Sequence, residues 1–218
     1  MMSAPRILIA DDHELVRKGL RSVLESRHGW TVCGEARHGR EAVEKALECR
    51  PDIVIMDLTM PELNGLEATR QIRASLPDTE VLILTMHHSE QLVHEVLSAG
   101  ARGYLLKTDA GDAVFDAVEA LVRHKPYFTS SVSSVLLASY LHPERHAGAR
   151  AGAPALTPRE TEVVQAIAEG KSTKEIARAL GISEPTAETH RVNLMRKLDV
   201  HSVSEIVRYA IRNRLIEP

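Results

Sequence analysis

Residues 53–65 read Ile-Val-Ile-Met-Asp-Leu-Thr-Met-Pro-Glu-Leu-Asn-Gly. Four apolar residues, three of them β-branched, stop on an acid and pass at once into turn residues. A run of that length, apolar without alternation and bounded by turn chemistry, predicts a strand buried on both faces. The same signature recurs on either side, at Arg6–Ala10, Thr31–Glu35, Val81–Thr85 and Gly103–Leu106. Between these runs lie longer segments with helical spacing, such as Leu15, Gly19 and Val23, or Val93, Val96 and Leu97. Strand and helix in alternation to about Arg123 predict an α/β doubly wound five-stranded parallel sheet with five helices.

Beyond Lys125-Pro126 the pattern changes. Tyr127–Leu141 is Ser-rich and apolar and predicts a connecting helix, and His142–Ala155, rich in Ala, Gly, Pro and Arg, predicts a flexible linker. From residue 156 the periodicity is helical only. Thr157-Pro158-Arg159-Glu160 and Ser172-Thr173-Lys174-Glu175 each spell a capping box ahead of an apolar-periodic run. Gly170 and Gly181 stand where those helices should stop, Ser183 caps a third helix to Leu198, and a fourth runs from Val203 to about Asn213. The chain thus divides into an α/β domain over 1–126, a connector over 127–155 and an all-α four-helix domain over 156–218. No internal repeat is present.

Bulk properties set limits. The 218 residues are 44% apolar and 26% charged with a net charge of -3, the profile of a globular chain. The acidity belongs to the first part: residues 1–140 carry 15 basic and 20 acidic side chains. Aromatics at 3% argue against the stacking platforms of single-strand and RNA binders, but leave a helical reader of duplex DNA open. Cys33 and Cys49 form no CxxC pair, are too few for a disulfide framework, and are read as buried small apolar residues. Neither a leader sequence nor a membrane span is expected, so the cytoplasm is the expected location.

In a parallel doubly wound sheet, ligands sit at the carboxyl ends of the strands. Strand one ends in Asp11-Asp12, strand three in Asp57, strand four in Thr85 and strand five in Lys107. Three carboxylates in one partly desolvated cleft repel one another unless a cation joins them, and oxygen-only ligands favour a hard ion such as Mg²⁺. A carboxylate held there can attack a phosphoryl donor, with the Lys107 ammonium and Thr85 hydroxyl as donors to the transferred oxygens. Any one of these residues alone reads as a helix cap or surface charge; their conjunction at one sheet edge points to phosphoryl chemistry.

Asp11-Asp12-His13, Met56-Asp57-Leu58-Thr59-Met60-Pro61, Asn64-Gly65, Thr85 and Gly103-Tyr104-Leu105-Leu106-Lys107 together resemble the receiver domain of two-component response regulators. The resemblance implies that Asp57 accepts phosphate from a sensor histidine kinase, and that Asp11, Asp12, Asp57 and the Thr59 backbone carbonyl hold Mg²⁺. It implies that Thr85 is the switch hydroxyl, that Lys107 contacts the phosphoryl group, and that Tyr104 turns inward on activation. It also makes the domain a switch, not an enzyme beyond self-phosphorylation and autodephosphorylation. A Mg²⁺-dependent phosphatase is the alternative, but such enzymes carry a second Asp where this chain has Thr59. A phosphorylation-independent regulator is a further alternative. Met86, where receivers carry a small residue, is a departure bearing on phosphoryl lifetime.

In the second domain, Ser172–Leu180, Gly181-Ile182-Ser183 and Glu184–Leu198 fit a helix-turn-helix whose second helix enters the major groove. Ala187, Leu194 and Leu198 form one stripe, which leaves Glu188, Thr189, Val192 and Arg196 as groove candidates. Lys174, Arg191 and Lys197 are placed for phosphates. Leu156-Thr157-Pro158-Arg159-Glu160, Lys174-Glu175-Ile176-Ala177, Leu180-Gly181-Ile182-Ser183, His190-Arg191 and Arg196-Lys197-Leu198 resemble the LuxR-type helix-turn-helix. Joined to a receiver, the whole is similar to the NarL/FixJ class. That class implies promoter DNA as ligand, a homodimer on phosphorylation with Val203–Asn213 in its contact, RNA polymerase as a further partner, and a recognition helix that the unphosphorylated receiver can cover. A net charge of only +1 over 156–218 independently favours pairing on two half-sites. His87-His88, and His142 with His146, offer spacings for a metal sensor but lack a third ligand and read as surface residues.

Overall fold

The structure is a computed structural model that describes residues 4–86, 89–129, 132–134, 156–213 and 215–216. The expected linker at 142–155, most of the expected connecting helix, and His87, His88, His142 and His146 lie outside the described residues.

The first domain runs β1 (Arg6–Ala10), α1 (Glu14–Glu25), β2 (Thr31–Ala36), α2 (Gly39–Cys49), β3 (Ile53–Met56), α3 (Gly65–Ser75), β4 (Glu80–Thr85), α4 (Glu90–Ser98), β5 (Gly103–Leu106), α5 (Ala110–Val122) and β6 (Tyr127–Phe128). All neighbouring strands pair in parallel, in the order β2-β1-β3-β4-β5-β6. Side chains alternate across the sheet as a pleat requires. Ile7, Ile9, Ile53 and Ile55 face α1 and α5, whereas Leu8, Val54 and Met56 face α2, α3 and α4.

The sheet has six strands where five were expected. Tyr127–Phe128 continue it instead of opening a helix: they pair in parallel with Gly103–Tyr104 of β5, and the Tyr127 amide bonds the Arg102 carbonyl at 3.0 Å. A second difference concerns α1. Its buried face is Arg17, Leu20 and Leu24, and Leu15 is 84% exposed. Periodicity alone weighs Leu15 above Arg17, but the Arg17 guanidinium is taken inward by the Asp11 carbonyl at 2.8 Å and by Glu35 at 3.4 Å.

The second domain is four helices, α6 (Pro158–Ala168), α7 (Thr173–Leu180), α8 (Glu184–Leu198) and α9 (Val203–Arg212), around Val163, Ile167, Ile176, Ala187, Leu194 and Ile206. Both expected capping boxes form, at Thr157/Glu160 and Ser172/Glu175, and Gly181 ends α7 in the left-handed conformation. Ser183 caps α8, with Pro185 in its first turn.

Candidate phosphoacceptor pocket and nucleic-acid interface

Each strand of the first domain delivers its last residue to one edge, so sheet register alone collects the pocket. Asp57 follows β3, and its amide is fixed by the Ala10 carbonyl at 2.8 Å, which sets it beside Asp11 at the end of β1. Lys107, just past β5, places its Nζ 2.8 Å from Asp57 Oδ2 and 2.7 Å from Asp11 Oδ2. Asp57 Oδ1 accepts the Leu58 amide at 2.8 Å. Ligand atoms of Asp11, Asp12, His13 and Asp57 all lie within 4.8 Å of one another. His13, absent from the expected ligand set, turns its Nδ1 to Asp12 at 2.8 Å.

Burial dominates the electrostatics of this cluster. Asp57 is 4% exposed, and the loss of hydration, reinforced by the Asp11 charge, raises its carboxyl from 3.8 to about 6 against the opposing pull of Lys107. The lysine, for its part, is held protonated by its two carboxylates despite its own burial. One ammonium therefore faces two buried carboxylates, with Asp12 adjacent. That excess of negative charge, on oxygen donors, fits a hard divalent cation.

The loop from Leu58 to Asn64 is fixed at both ends. Gly65 donates its amide to the Leu58 carbonyl at 2.8 Å, and a Cβ on Gly65 would fall 1.9 Å from the Asp57 carbonyl oxygen. Only glycine allows α3 to start that close. Asn64 caps α3 by accepting the Glu67 amide. Thr59 is 9% exposed and Thr85 is 1% exposed, and both line one small gap with Leu58, Asn64 and Leu92. Tyr104 is fully buried, so its ring is inward in this structure, while Met86 is 62% exposed.

The same loop is where the second domain docks. Gln165, fully buried on α6, donates through Nε2 to the Met60 carbonyl at 2.8 Å and accepts the Asn64 amide on Oε1 at 2.9 Å. Glu169, one turn on, accepts the Glu62 amide at 3.0 Å and a second bond from Gln165 at 2.9 Å. Glu169 and Ile216 border a cleft with Asp12, Thr59, Met60 and Pro61, and Asn213 lines the gap that holds Thr85. Sequence reasoning missed this joint. Its one signal is an amide inside the apolar run Val163-Val164-Gln165-Ala166-Ile167.

The groove candidates Glu188, Thr189, Val192 and Arg196 are all exposed on α8. The resemblance implies that an unphosphorylated receiver can cover this face; here the domains dock through α6 and these four side chains are exposed. Arg191 is half-buried and Lys174 exposed. Lys197, expected at a phosphate, is paired with Glu160 at 2.6 Å. The Glu188 carboxylate accepts the Thr173 hydroxyl at 3.0 Å, which ties the two helices of the motif together.

A family model described as "Response regulator receiver domain" matches residues 7–119, and one described as "Bacterial regulatory proteins, luxR family" matches residues 154–210. The chain is 41% identical over 212 residues to the transcriptional regulatory protein LiaR of Bacillus subtilis, covering 97% of this chain and 99% of that protein. It is 36% identical over 215 residues to the oxygen regulatory protein NreC of Staphylococcus haemolyticus, again covering 97% and 99%. The solved structure of RcsB from Salmonella enterica serovar Typhimurium, bound to promoter rprA in the presence of phosphomimetic BeF3-, is similar with a TM-score of 0.62 and 28% identity, over 94% of this chain and 98% of that one.

Proposed function

This chain belongs to the response regulators that join a receiver domain to a LuxR-family DNA-binding domain, and from that premise we propose that phosphorylation of Asp57 by a sensor histidine kinase controls its binding to double-stranded promoter DNA. The observation that carries the proposal is the convergence of Lys107 on Asp57 and Asp11 in a buried cleft at the sheet edge. The Asp57 carboxylate attacks phosphorus, the bond from phosphorus to the donor nitrogen of phosphohistidine breaks, and an acyl phosphate forms. Asp11, Asp12, Asp57 and the Thr59 carbonyl would hold Mg²⁺, which when bound neutralises the transferred oxygens. Lys107 then exchanges its pair with Asp57 for the new oxygens, and Thr85 supplies a hydroxyl at the same edge.

The added charge of about -1.5 to -2 and its acceptor oxygens arrive beside a loop whose Met60, Glu62 and Asn64 backbone groups carry the second domain. A shift of that loop weakens the docking through Gln165 and Glu169 and frees the DNA-binding domain to pair. RcsB is described as bound to promoter DNA, and as two dimers on two parallel DNAs; these support a homodimer on duplex DNA here. RNA polymerase is the partner through which such binding would act on transcription. Thr59 stands where a phosphatase would need a carboxylic acid, so the pocket serves as a switch and not as a turnover enzyme. No helix among the described residues is long and apolar enough to cross a membrane, which is compatible with a cytoplasmic regulator.

The test is intact mass with and without acetyl phosphate and Mg²⁺, on the native protein and Asp57→Ala, with binding to genomic promoter fragments followed in the same samples. A phosphoryl adduct that requires Asp57 and raises DNA binding is the expected result. Adduct formation without a change in binding, or no adduct, would overturn the proposal.

A further inference from the structure

Two thiols that the phosphoryl chemistry does not use lie together in the receiver. Cys33 is in β2 and Cys49 is the last residue of α2; they are the chain's two cysteines, and their Sγ atoms are 3.2 Å apart. The expectation of buried small apolar residues is therefore corrected: both are half-buried, and each has the other as its neighbour. Cys33 lies where the β1–β2 register shifts. The β1–β2 ladder pairs Ile7 with Val32 and then Leu8 with Gly34, which makes Cys33 the extra residue. Such a residue can be re-aimed relative to the pleat, and Cys33 packs with the core cluster under α2 that contains Ala42 and Ala46. Its thiol also reaches the Ile7 carbonyl at 3.4 Å. The end of α2 is tied down independently, because Arg6 Nη2 donates to the Cys49 carbonyl at 2.8 Å. The Cys49 backbone is thus anchored, and the two sulfurs face each other across the seam between β2 and α2.

We propose that Cys33 and Cys49 are a reversible modification site, a dithiol that a low-molecular-weight disulfide oxidises to an intramolecular disulfide stapling α2 to β2. One protein thiolate attacks a sulfur of the external disulfide, forming a mixed disulfide and expelling one small thiolate. The second protein thiolate attacks the protein-bound sulfur and expels the other. Two protein thiols are oxidised, one external disulfide is reduced to two thiols, and the two protons end on the released thiols. Burial, followed by the neighbouring sulfur, pushes the Cys33 thiol up to about 12. A thiol that burial keeps protonated closes slowly, unlike that of a low-pKa peroxide sensor. The pair lies at the end of α2 opposite Gly39, whose amide bonds the Leu63 carbonyl of the phosphoacceptor loop. Oxidation should therefore stabilise the receiver and leave the phosphoryl pocket unchanged. The inference does not depend on Asp57 being phosphorylated.

The test exposes the reduced full-length protein to oxidised glutathione overnight, alkylates it under denaturing conditions and measures intact mass and a non-reducing peptide map. The native protein should lose the mass of two hydrogens, show the Cys33 and Cys49 peptides joined, and melt several degrees higher until dithiothreitol reverses the change. Cys33→Ser should stop at one glutathione adduct on Cys49, with no rise in melting temperature. Phosphorylation by acetyl phosphate should proceed at the same rate in reduced and oxidised native protein. Glutathione adducts that fail to close, chain-to-chain disulfides, or a fully reduced native protein would each overturn the proposal, and the peptide map of the native protein decides the matter even should the variant fail to fold.

Discussion

Asp57→Asn should stabilise the receiver, and by an amount that depends on pH. The Asp57 carboxyl titrates near 6 in the fold against an ordinary 3.8, and burial is the leading cause. A folded value raised above the unfolded one contributes stability that is fully present below about pH 4 and is lost as pH rises through 6. The shift of about two pH units corresponds to roughly 3 kcal/mol of cost for ionising Asp57 in place, and at 4% exposure solvent screening removes little of it. Asparagine resembles the protonated acid in shape and charge, and in the variant Lys107 keeps its 2.7 Å pair with Asp11. The difference between variant and native protein should be close to zero at pH 4 and grow to about 3 kcal/mol by pH 8, a urea midpoint shift of about 1–2 M. The chain's single tryptophan, Trp30, packs against Phe115 of α5 in the receiver and reports that domain's unfolding by fluorescence. Measurements in EDTA at pH 4, 6 and 8 suffice. An asparagine variant that is less stable at pH 8, or a difference independent of pH, would refute the view that desolvation outweighs the Lys107 pair.

Three further outcomes follow from named contacts. Gly65→Ala puts a Cβ 1.9 Å from the Asp57 carbonyl oxygen and should lower receiver stability by about 3 kcal/mol or more, read as an earlier Trp30 unfolding midpoint. Gln165→Ala removes both bonds that its amide makes to the 60–64 loop, weakening domain docking by about 2–3 kcal/mol; small-angle scattering should show a larger radius of gyration, with acetyl phosphate labelling of Asp57 faster than in the native protein. Arg191→Ala should reduce the dependence of log binding constant on log salt by ~0.9 across unrelated DNA sequences, whereas Lys197→Ala should change it less, because Glu160 already holds that ammonium at 2.6 Å in the free protein.

The receiver pocket was legible because it depends on register. Strand ends can be read from where apolar runs stop, and parallel pairing then brings Asp11, Asp57, Thr85 and Lys107 to one edge without any knowledge of side-chain packing. Leu15 and Arg17 show where that logic fails. Hydropathy assigned the inward face of α1 by residue type, yet the face was chosen by the Asp11 carbonyl and the Glu35 carboxylate, which only the fold places within reach of a guanidinium. The two cysteines were misjudged for a similar reason. They are sixteen positions apart, and their contact depends on how α2 packs on β2, beside a register shift between Ile7 and Leu8. No spacing rule contains that shift. The sixth strand was hidden by brevity, since Tyr127-Phe128 is too short to carry a periodicity.

The loop from Leu58 to Asn64 explains why the two domains meet where they do. A backbone amide or carbonyl that is buried must find a partner, and this loop, which has no ladder of its own, presents several. Leu58 is satisfied inside the receiver, by the Asp57 carboxylate and the Gly65 amide. Met60, Glu62 and Asn64 turn to the side chains of Gln165 and Glu169. A glutamine suits this joint because one amide both donates and accepts: its Nε2 takes the Met60 carbonyl and its Oε1 takes the Asn64 amide, so the two bonds form together and are lost together. The donors and acceptors freed on separation go to water, which keeps the net cost of opening within the few kcal/mol that a change of charge in the adjacent pocket can supply. The groove face of α8 is already exposed, so under the proposed switch phosphorylation need not uncover a reading surface; its task would be to release the domain as a body, free to meet a second copy on DNA.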